Sequence, residues 1–297
     1  MTVVQMPAAL GTGVANPAVP RIRAGGVIAL AGVAALLAVL VVLPLVSIAF
    51  EALRAGLPAA LATFSAPYAR SAISLTAGVA LVVVAINAAF GILAGWTFTM
   101  YRFPLKAALL TLIDIPLTLS PVVAGLAVLL CFGERSPLGA FLGAHGWKVA
   151  FAPPGIVIAT ALVTFPYVAR ETIALMSETG RELEEAALGL GATLWQAFLR
   201  VTLPRARWAI LNGVLLCNAR ALGEFGAVSV ISGRIRGLTD TVPLHIEILY
   251  NENNLVGAFS LAAALAAAAI ALTIGRGVLE RRRLPVSSRQ IDGVGTS

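Results

Sequence analysis

The chain has 297 residues, of which 59% are hydrophobic and only 12% charged, with a formal net charge of +7. An ordinary soluble domain carries about 25% charged residues, so this composition argues against a soluble globular protein, a disordered chain and a nucleic-acid binder. Two cysteines (Cys131, Cys217), two histidines (His145, His245) and two lysines (Lys106, Lys148) form no metal-ligand spacing, and no glycine precedes either lysine as in a G-x-x-x-x-G-K phosphate loop.

A bilayer core about 30 Å thick takes roughly 20 apolar residues per helix. Six segments qualify: Val27–Phe50, Ser71–Thr99, Ala107–Phe132, Gly155–Met176, Ala209–Ile231 and Val256–Ile274. The stretch before them, Met1–Pro20, is uncharged and rich in Ala, Pro, Gly and Val, a composition expected to be unstructured. The first span is longer than the roughly 7–15 apolar residues of a signal peptide, and reads as an uncleaved anchor. In the second span Gly91 and Gly95 make a small-x-x-x-small pattern, which favours a packing seam. The third is interrupted by Asp114, Pro116 and Pro121, and a proline there frees a carbonyl that protein or a cavity must satisfy. Thr118 and Ser120 add hydroxyls that either bond their own helix or meet an oxyanion.

The connection between the fourth and fifth spans stands apart. Residues 177–207 read SETGRELEEAALGLGATLWQAFLRVTLPRAR, charged and largely helical in character. Glu182, Glu184 and Glu185 cluster in the first half, Gly189 and Gly191 supply a turn, and a second short helix is expected over Thr193–Val201. Pro204 suits the start of a new helix, where its missing N–H costs little. In the fifth span Arg220 and Glu224 are spaced i, i+4 near the expected mid-membrane level, on one face of a helix. Intramembrane charges persist where they face a partner or a water-filled path. The two either neutralise each other and fix packing, or line or gate an anion path. Gly223 and Gly226 beside them would admit a neighbouring backbone. The next loop, 232–254, carries Arg234, Arg236, Asp240, His245 and Glu247, either solvated or facing a partner. The C-terminal Arg281, Arg282 and Arg283 read as a headgroup anchor.

Placing both termini in the cytoplasm puts 14 Lys/Arg on inside segments and 6 outside, with Arg220 alone within a span. The positive-inside rule therefore supports an even number of spans and accounts for the basic charge without nucleic acid.

The 177–207 loop resembles the EAA signature of ABC-transporter permease subunits: Glu185, Ala186 and Ala187, then Gly191, then Val201, Leu203 and Pro204 at the spacing of that motif. The stretch from Asn218 to Asn254, including ALGEFGA and IRGLTDTVPLHIEILYNE, resembles sulfate/thiosulfate permeases of ABC importers, most narrowly their W-type subunits. The resemblance implies an all-α polytopic fold of the MetI-like importer permease kind, with six transmembrane helices around a central pathway. It implies a coupling role for the seven motif residues, docked on a dimeric cytoplasmic sulfate-transport ATPase that holds the ATP and Mg. It further implies a T-type permease partner, a periplasmic sulfate- or thiosulfate-binding protein, and residence in a bacterial inner membrane. The chain itself is then no enzyme and binds no cofactor or metal. Its domains would be a tail over 1–26, a permease domain over 27–275 with a core from about 70, and a basic tail over 276–297. Arg220, Glu224, Gly223 and Ser120 are the candidates for an anion path or gate. Molybdate or tungstate is the alternative substrate. An ion-coupled secondary transporter, the other class, leaves the loop pattern unexplained.

Overall fold

A computed structural model describes residues 24–281. The uncharged stretch 1–20 and the basic residues Arg282, Arg283 and Arg289 lie outside them. Every regular element among the described residues is helical. The first of two compact units ends at Val46. It holds α1 (Ala24–Leu37) and a π turn (Ala38–Val42) that runs on into α2 (Leu43–Leu53), giving a continuous apolar helix over Gly26–Leu53. The π turn has a local cause. Pro44 has no N–H and its ring would strike the carbonyl one turn back, so the preceding turn widens and the Leu43 N–H reaches the Ala38 carbonyl instead.

The second unit begins at Ser47. After the short α3 (Leu57–Ser65) comes α4 (Pro67–Met100), started by Pro67 in the first turn. Its 34 residues span about 50 Å at 1.5 Å per residue. The helix α8 (Pro153–Thr179) lies along it, parallel and in constant register. Asn87 meets Thr164, a Cβ on Gly91 would stand 2.7 Å from Val168, and one on Gly95 would stand 3.0 Å from Thr172. The small-residue pattern expected to be a packing seam is one. It is fastened by Asn87 Nδ2 donating to Thr164 Oγ1 at 2.9 Å and by Thr172 Oγ1 donating to the Gly91 carbonyl at 2.7 Å.

Because α4 and α8 run the same way, the chain between them must cross back. It does so through α5 (Lys106–Thr118) and α6 (Pro121–Phe132), bent 109° at Leu119–Ser120. Pro121 ends helical continuity there, since its ring disfavours the helical region for the residue before it and Ser120 is extended. After α7 (Pro137–Ala144) and α8 come α9 (Glu182–Gly189), α10 (Leu194–Ala197) and a second π turn (Phe198–Thr202). Then α11 (Leu203–Leu222), α12 (Gly226–Ile231), α13 (Val242–Asn251) and α14 (Leu255–Arg281) follow. The core gathers Val79 and Val83 of α4, Ile156 and Val163 of α8, Cys217 of α11 and Val228 of α12. Four helices among the described residues are long and apolar enough to cross a membrane, and the bent α5–α6 pair has the length and apolarity of a fifth if the two helices form one span.

The fifth expected span differs from its reading. In place of one helix over 209–231, the chain is helical from Leu194 through the π turn, stops at Leu222, and restarts as the six-residue α12. Arg220 consequently lies in the last turn of α11, where a cation suits the helix dipole.

Candidate functional site

Two places gather the residues singled out by sequence. The first is the elbow from α9 to α11. Three carboxylates in the first turn of α9 complement the dipole there, yet they point differently. Glu184 is 6% exposed and accepts a hydrogen bond from Thr202 Oγ1, while Glu185 and Ala186 are exposed. The turn after α9 is a Schellman motif: the Gly191 N–H bonds to the Leu188 carbonyl and the Ala192 N–H to that of Ala187, both at 3.0 Å. Gly191 stands at φ +89°, a conformation only glycine takes at little cost. Gly189 is an ordinary helical residue, so the turn rests on one glycine and not two.

Thr193 then opens α10 with a capping box, its hydroxyl accepting from the Gln196 N–H and the Gln196 side chain accepting from the Thr193 N–H. The expected second helix does not end at Val201. It passes through the π turn directly into α11, with Ala197, Phe198, Thr202 and Leu203 all helical. Pro204 therefore starts no new helix. As at Pro44, a π turn ahead of a Leu-Pro pair absorbs the ring, and the Leu203 N–H reaches the Phe198 carbonyl. Val201 and Leu203 are half-buried and Pro204 is exposed.

The elbow is clamped to the far end of α4. The Phe198 ring centroid lies 4.8 Å from that of Trp96 and 5.3 Å from that of Trp195, and Arg181 Nη1 donates to the Met100 carbonyl at 2.9 Å. Its outer surface is unusually apolar, with Leu183, Leu194 and Trp195 exposed and Leu190 90% exposed.

The second place is the junction where the two broken spans meet. A Cβ on Gly226 would lie 2.8 Å from Pro121, and one on Gly125 2.5 Å from the Ala227 carbonyl oxygen. The start of α6 thus rests directly on the start of α12. Glu224 sits in the break itself. Its Oε1 accepts from the Ala227 N–H at 3.0 Å and its Oε2 lies 3.7 Å from Arg220 Nη2. The Glu224 side chain is 1% exposed and that of Arg220 40%. The pair is real but unequal: the carboxylate faces inward and the guanidinium faces open space. Gly223 carries no close approach, since a Cβ there would find nothing nearer than 4.0 Å and its φ is −94°. That role belongs to Gly226 alone. Ser120 is exposed at the N-cap of α6 and makes no cap bond, and among the described residues no hydrogen bond joins it to Arg220 or Glu224. Thr118 bonds the Ile115 carbonyl of its own helix at 2.8 Å.

At the other end of α4 from the elbow, the loop after α12 is built and not merely solvated. Ser71 Oγ donates to the Gly237 carbonyl at 2.7 Å. Asp240 and His245 are buried together with Oδ2 to Nδ1 at 3.0 Å, and Arg234 and Arg236 pair with Glu247 and Glu252. Asp114, also singled out above, pairs with Arg170 of α8 at 2.6 Å.

The family model described as "Binding-protein-dependent transport system inner membrane component" matches residues 87–284, which include both the elbow and the junction. The chain belongs to this permease family. It is 46% identical over 245 residues to the sulfate transport system permease protein CysW of Escherichia coli (strain K12), covering 82% of this chain and 84% of that protein. It is 42% identical to CysW of Synechocystis sp., over 83% and 89%. It is 37% identical to the sulfate transport system permease protein CysT of Escherichia coli (strain K12), over 73% and 78%. Among solved structures, a bacterial alginate ABC transporter in complex with alginate pentasaccharide-bound periplasmic protein superposes with a TM-score of 0.72, over 88% of this chain and 95% of that one. At 16% identity that likeness shows the fold. The chain is thus a multi-pass membrane permease, a transport component.

Within this permease fold, sequence reading did not assign the fastening of the elbow to Trp96, Arg181, Glu184, Phe198 and Thr202, although Glu184 was seen in the acidic cluster. The signal for Glu184 was present. It is one residue from Glu185, hence about 100° around the helix, so the two carboxylates point in different directions. Also missed was a polar network across α8, α11 and α14. Asn212 Nδ2 donates to Glu171 Oε2 at 3.1 Å and Arg276 Nε donates to Asn212 Oδ1 at 2.8 Å.

Proposed function

We propose that the chain is the permease subunit of an ATP-driven importer of sulfate or thiosulfate in a bacterial inner membrane, with both termini in the cytoplasm. The supporting observation is the 46% identity, over most of both chains, to a protein named as a sulfate transport permease. The elbow is the coupling element. Its exposed carboxylate Glu185, small residues Ala186 and Ala187, and apolar Leu183, Leu190 and Trp195 form a face suited to a groove on a cytoplasmic ATPase, which holds the ATP and Mg. The basic residues Arg181, Arg200, Arg205 and Arg207 at this end agree with a cytoplasmic placement. A second, T-type permease completes the pathway and a periplasmic binding protein delivers the anion at the opposite end.

Closure of the ATPases moves the elbow, and the clamp on Trp96 together with the unbroken run from α10 into α11 carries that motion into the spans. Arg220 supplies the positive charge on the anion path, and the buried Glu224 behind it limits the depth of the well so that the anion is released. Uptake of labelled sulfate, thiosulfate and molybdate in a strain lacking its own sulfate permeases tests the reading. Restored sulfate uptake is expected, and restoration of molybdate uptake alone would overturn it.

A further inference from the structure

A small chamber lies beside the break in the fifth span, where α4, α8, α11, α12 and α13 converge. It is lined by Thr76, Ile156, Thr160, Glu224, Val228 and Thr241 among others, and its space is about 10 Å³, about enough for one water. Three polar atoms of its lining residues make no hydrogen bond in the protein although they are out of reach of bulk solvent: Thr160 Oγ1, Glu224 Oε2 and Thr241 Oγ1. Their residues are 1%, 2% and 4% exposed. Buried polar atoms are as a rule hydrogen-bonded, and three exceptions on one cavity have a common explanation.

The local bonding shows why these atoms are left over. Thr241 is the N-cap of α13, yet its hydroxyl makes no cap bond. The N2 position of α13 is Pro243, which has no N–H to offer it, while the Val242 N–H goes to Thr76 Oγ1 at 2.8 Å, which itself donates to the Ala72 carbonyl. Glu224 spends Oε1 on the Ala227 N–H, which leaves Oε2 toward Arg220 at a distance too long for a hydrogen bond.

We propose that this chamber holds one ordered water molecule that joins Glu224 Oε2 to the hydroxyls of Thr160 and Thr241. The water donates to the carboxylate, which can only accept. Each threonine hydroxyl both donates and accepts, so the water's remaining donor and acceptor sites match both. A metal cation fits poorly. The Arg220 guanidinium already faces the same carboxylate oxygen, and one carboxylate oxygen with two hydroxyls falls short of the six to eight oxygens that calcium takes or the octahedron magnesium requires. The water pins the break, where regular helix is interrupted between Leu222 and Gly226, to α8 and α13. The proposal stands whichever anion is transported.

The test is an X-ray crystal structure of the chain with its co-purifying subunits, grown from lipidic mesophase, at a resolution that shows waters, in sodium and again in thallium buffer. The expected result is one density peak in the chamber, within hydrogen-bond distance of Glu224 and at least one of the two threonines, without anomalous signal in thallium and lost in Thr160→Val. An anomalous thallium peak would make the site a cation site, and wild-type density with no peak would leave the chamber dry. Either overturns the proposal. The two wild-type data sets decide the matter even if the valine variant does not fold.

Discussion

Glycines in this chain divide into those that touch a neighbour's backbone and those that do not, and the difference is measurable. Gly125 would thrust a Cβ to 2.5 Å from the Ala227 carbonyl, against backbone that cannot step aside, whereas Gly78 in α4 has nothing within 4 Å. Gly125→Ala should therefore part α6 from α12 and destabilise the permease by about 1–3 kcal/mol, the usual cost of overpacking. Gly78→Ala should be neutral or slightly stabilising, since alanine is favoured over glycine in a helix interior by about 0.8–1 kcal/mol. Thermal unfolding of the two variants, measured side by side in detergent, checks this; equal midpoints would contradict the close approach. Residue types and spacing made part of this legible. Gly91 and Gly95 announced their seam by a four-residue interval, but Gly223 and Gly226 looked equivalent in the sequence. Only the placement of Pro121 separates them, because a contact between residues a hundred positions apart leaves no local mark.

At the scale of elements, the elbow and the fifth span show opposite degrees of legibility. The elbow was readable because its turn chemistry is local: a Schellman motif needs a glycine at one position, and a capping box needs Thr193 and Gln196 three apart. The break at Gly223–Phe225 was not. Arg220 and Glu224 at i, i+4 read as an intact helix, and what ends it is tertiary: Glu224 turns to cap α12, which rests on α6. The elbow yields two predictions. Gly191→Pro removes both the positive φ and the N–H bonded to Leu188, and should abolish co-purification of the ATPase while the permease stays inserted. Phe198→Ala keeps every residue of the docking face, though Trp195 loses its stacking partner, and empties the pocket between Trp96 and Trp195; burial losses of this kind run to about 3–5 kcal/mol. The expected phenotype differs accordingly: the ATPase still co-purifies and still hydrolyses ATP, but anion uptake per ATP falls severalfold in proteoliposomes. If uptake per ATP were unchanged, the clamp on α4 would not be the transmission.

For the whole molecule, the question is what lets a bundle with few charges move as rigid pieces. The helix α8 answers for its half, because it meets α4, α5, α6, α11 and α12 and its polar contacts lie at several heights. Near its start Thr160 faces the chamber; midway Thr164 holds Asn87; further on Thr172 holds the Gly91 carbonyl. Then Glu171 meets Asn212 of α11, which in turn accepts from Arg276 of α14. The α11 and α14 helices are tied through a single amide that serves as donor to one charge and acceptor to another, a division of labour no carboxylate or ammonium can perform. Asn212 is 7% exposed, so water offers little replacement. Asn212→Leu, close in volume, removes the amide between Glu171 and Arg276, which still face each other at 3.7 Å and are about a third exposed, so it should cost about 0.5–1.5 kcal/mol, the net worth of an ordinary hydrogen bond. Asn212→Asp preserves size and reverses the result for the two partners, strengthening the bond to Arg276 and setting a second carboxylate against Glu171. The discriminating measurement is the double variant Glu171→Gln with Asn212→Asp. If the network works as described, removing the repelling charge on Glu171 restores the unfolding midpoint lost in Asn212→Asp alone. Strictly additive losses would mean that the two side chains are neighbours without being coupled.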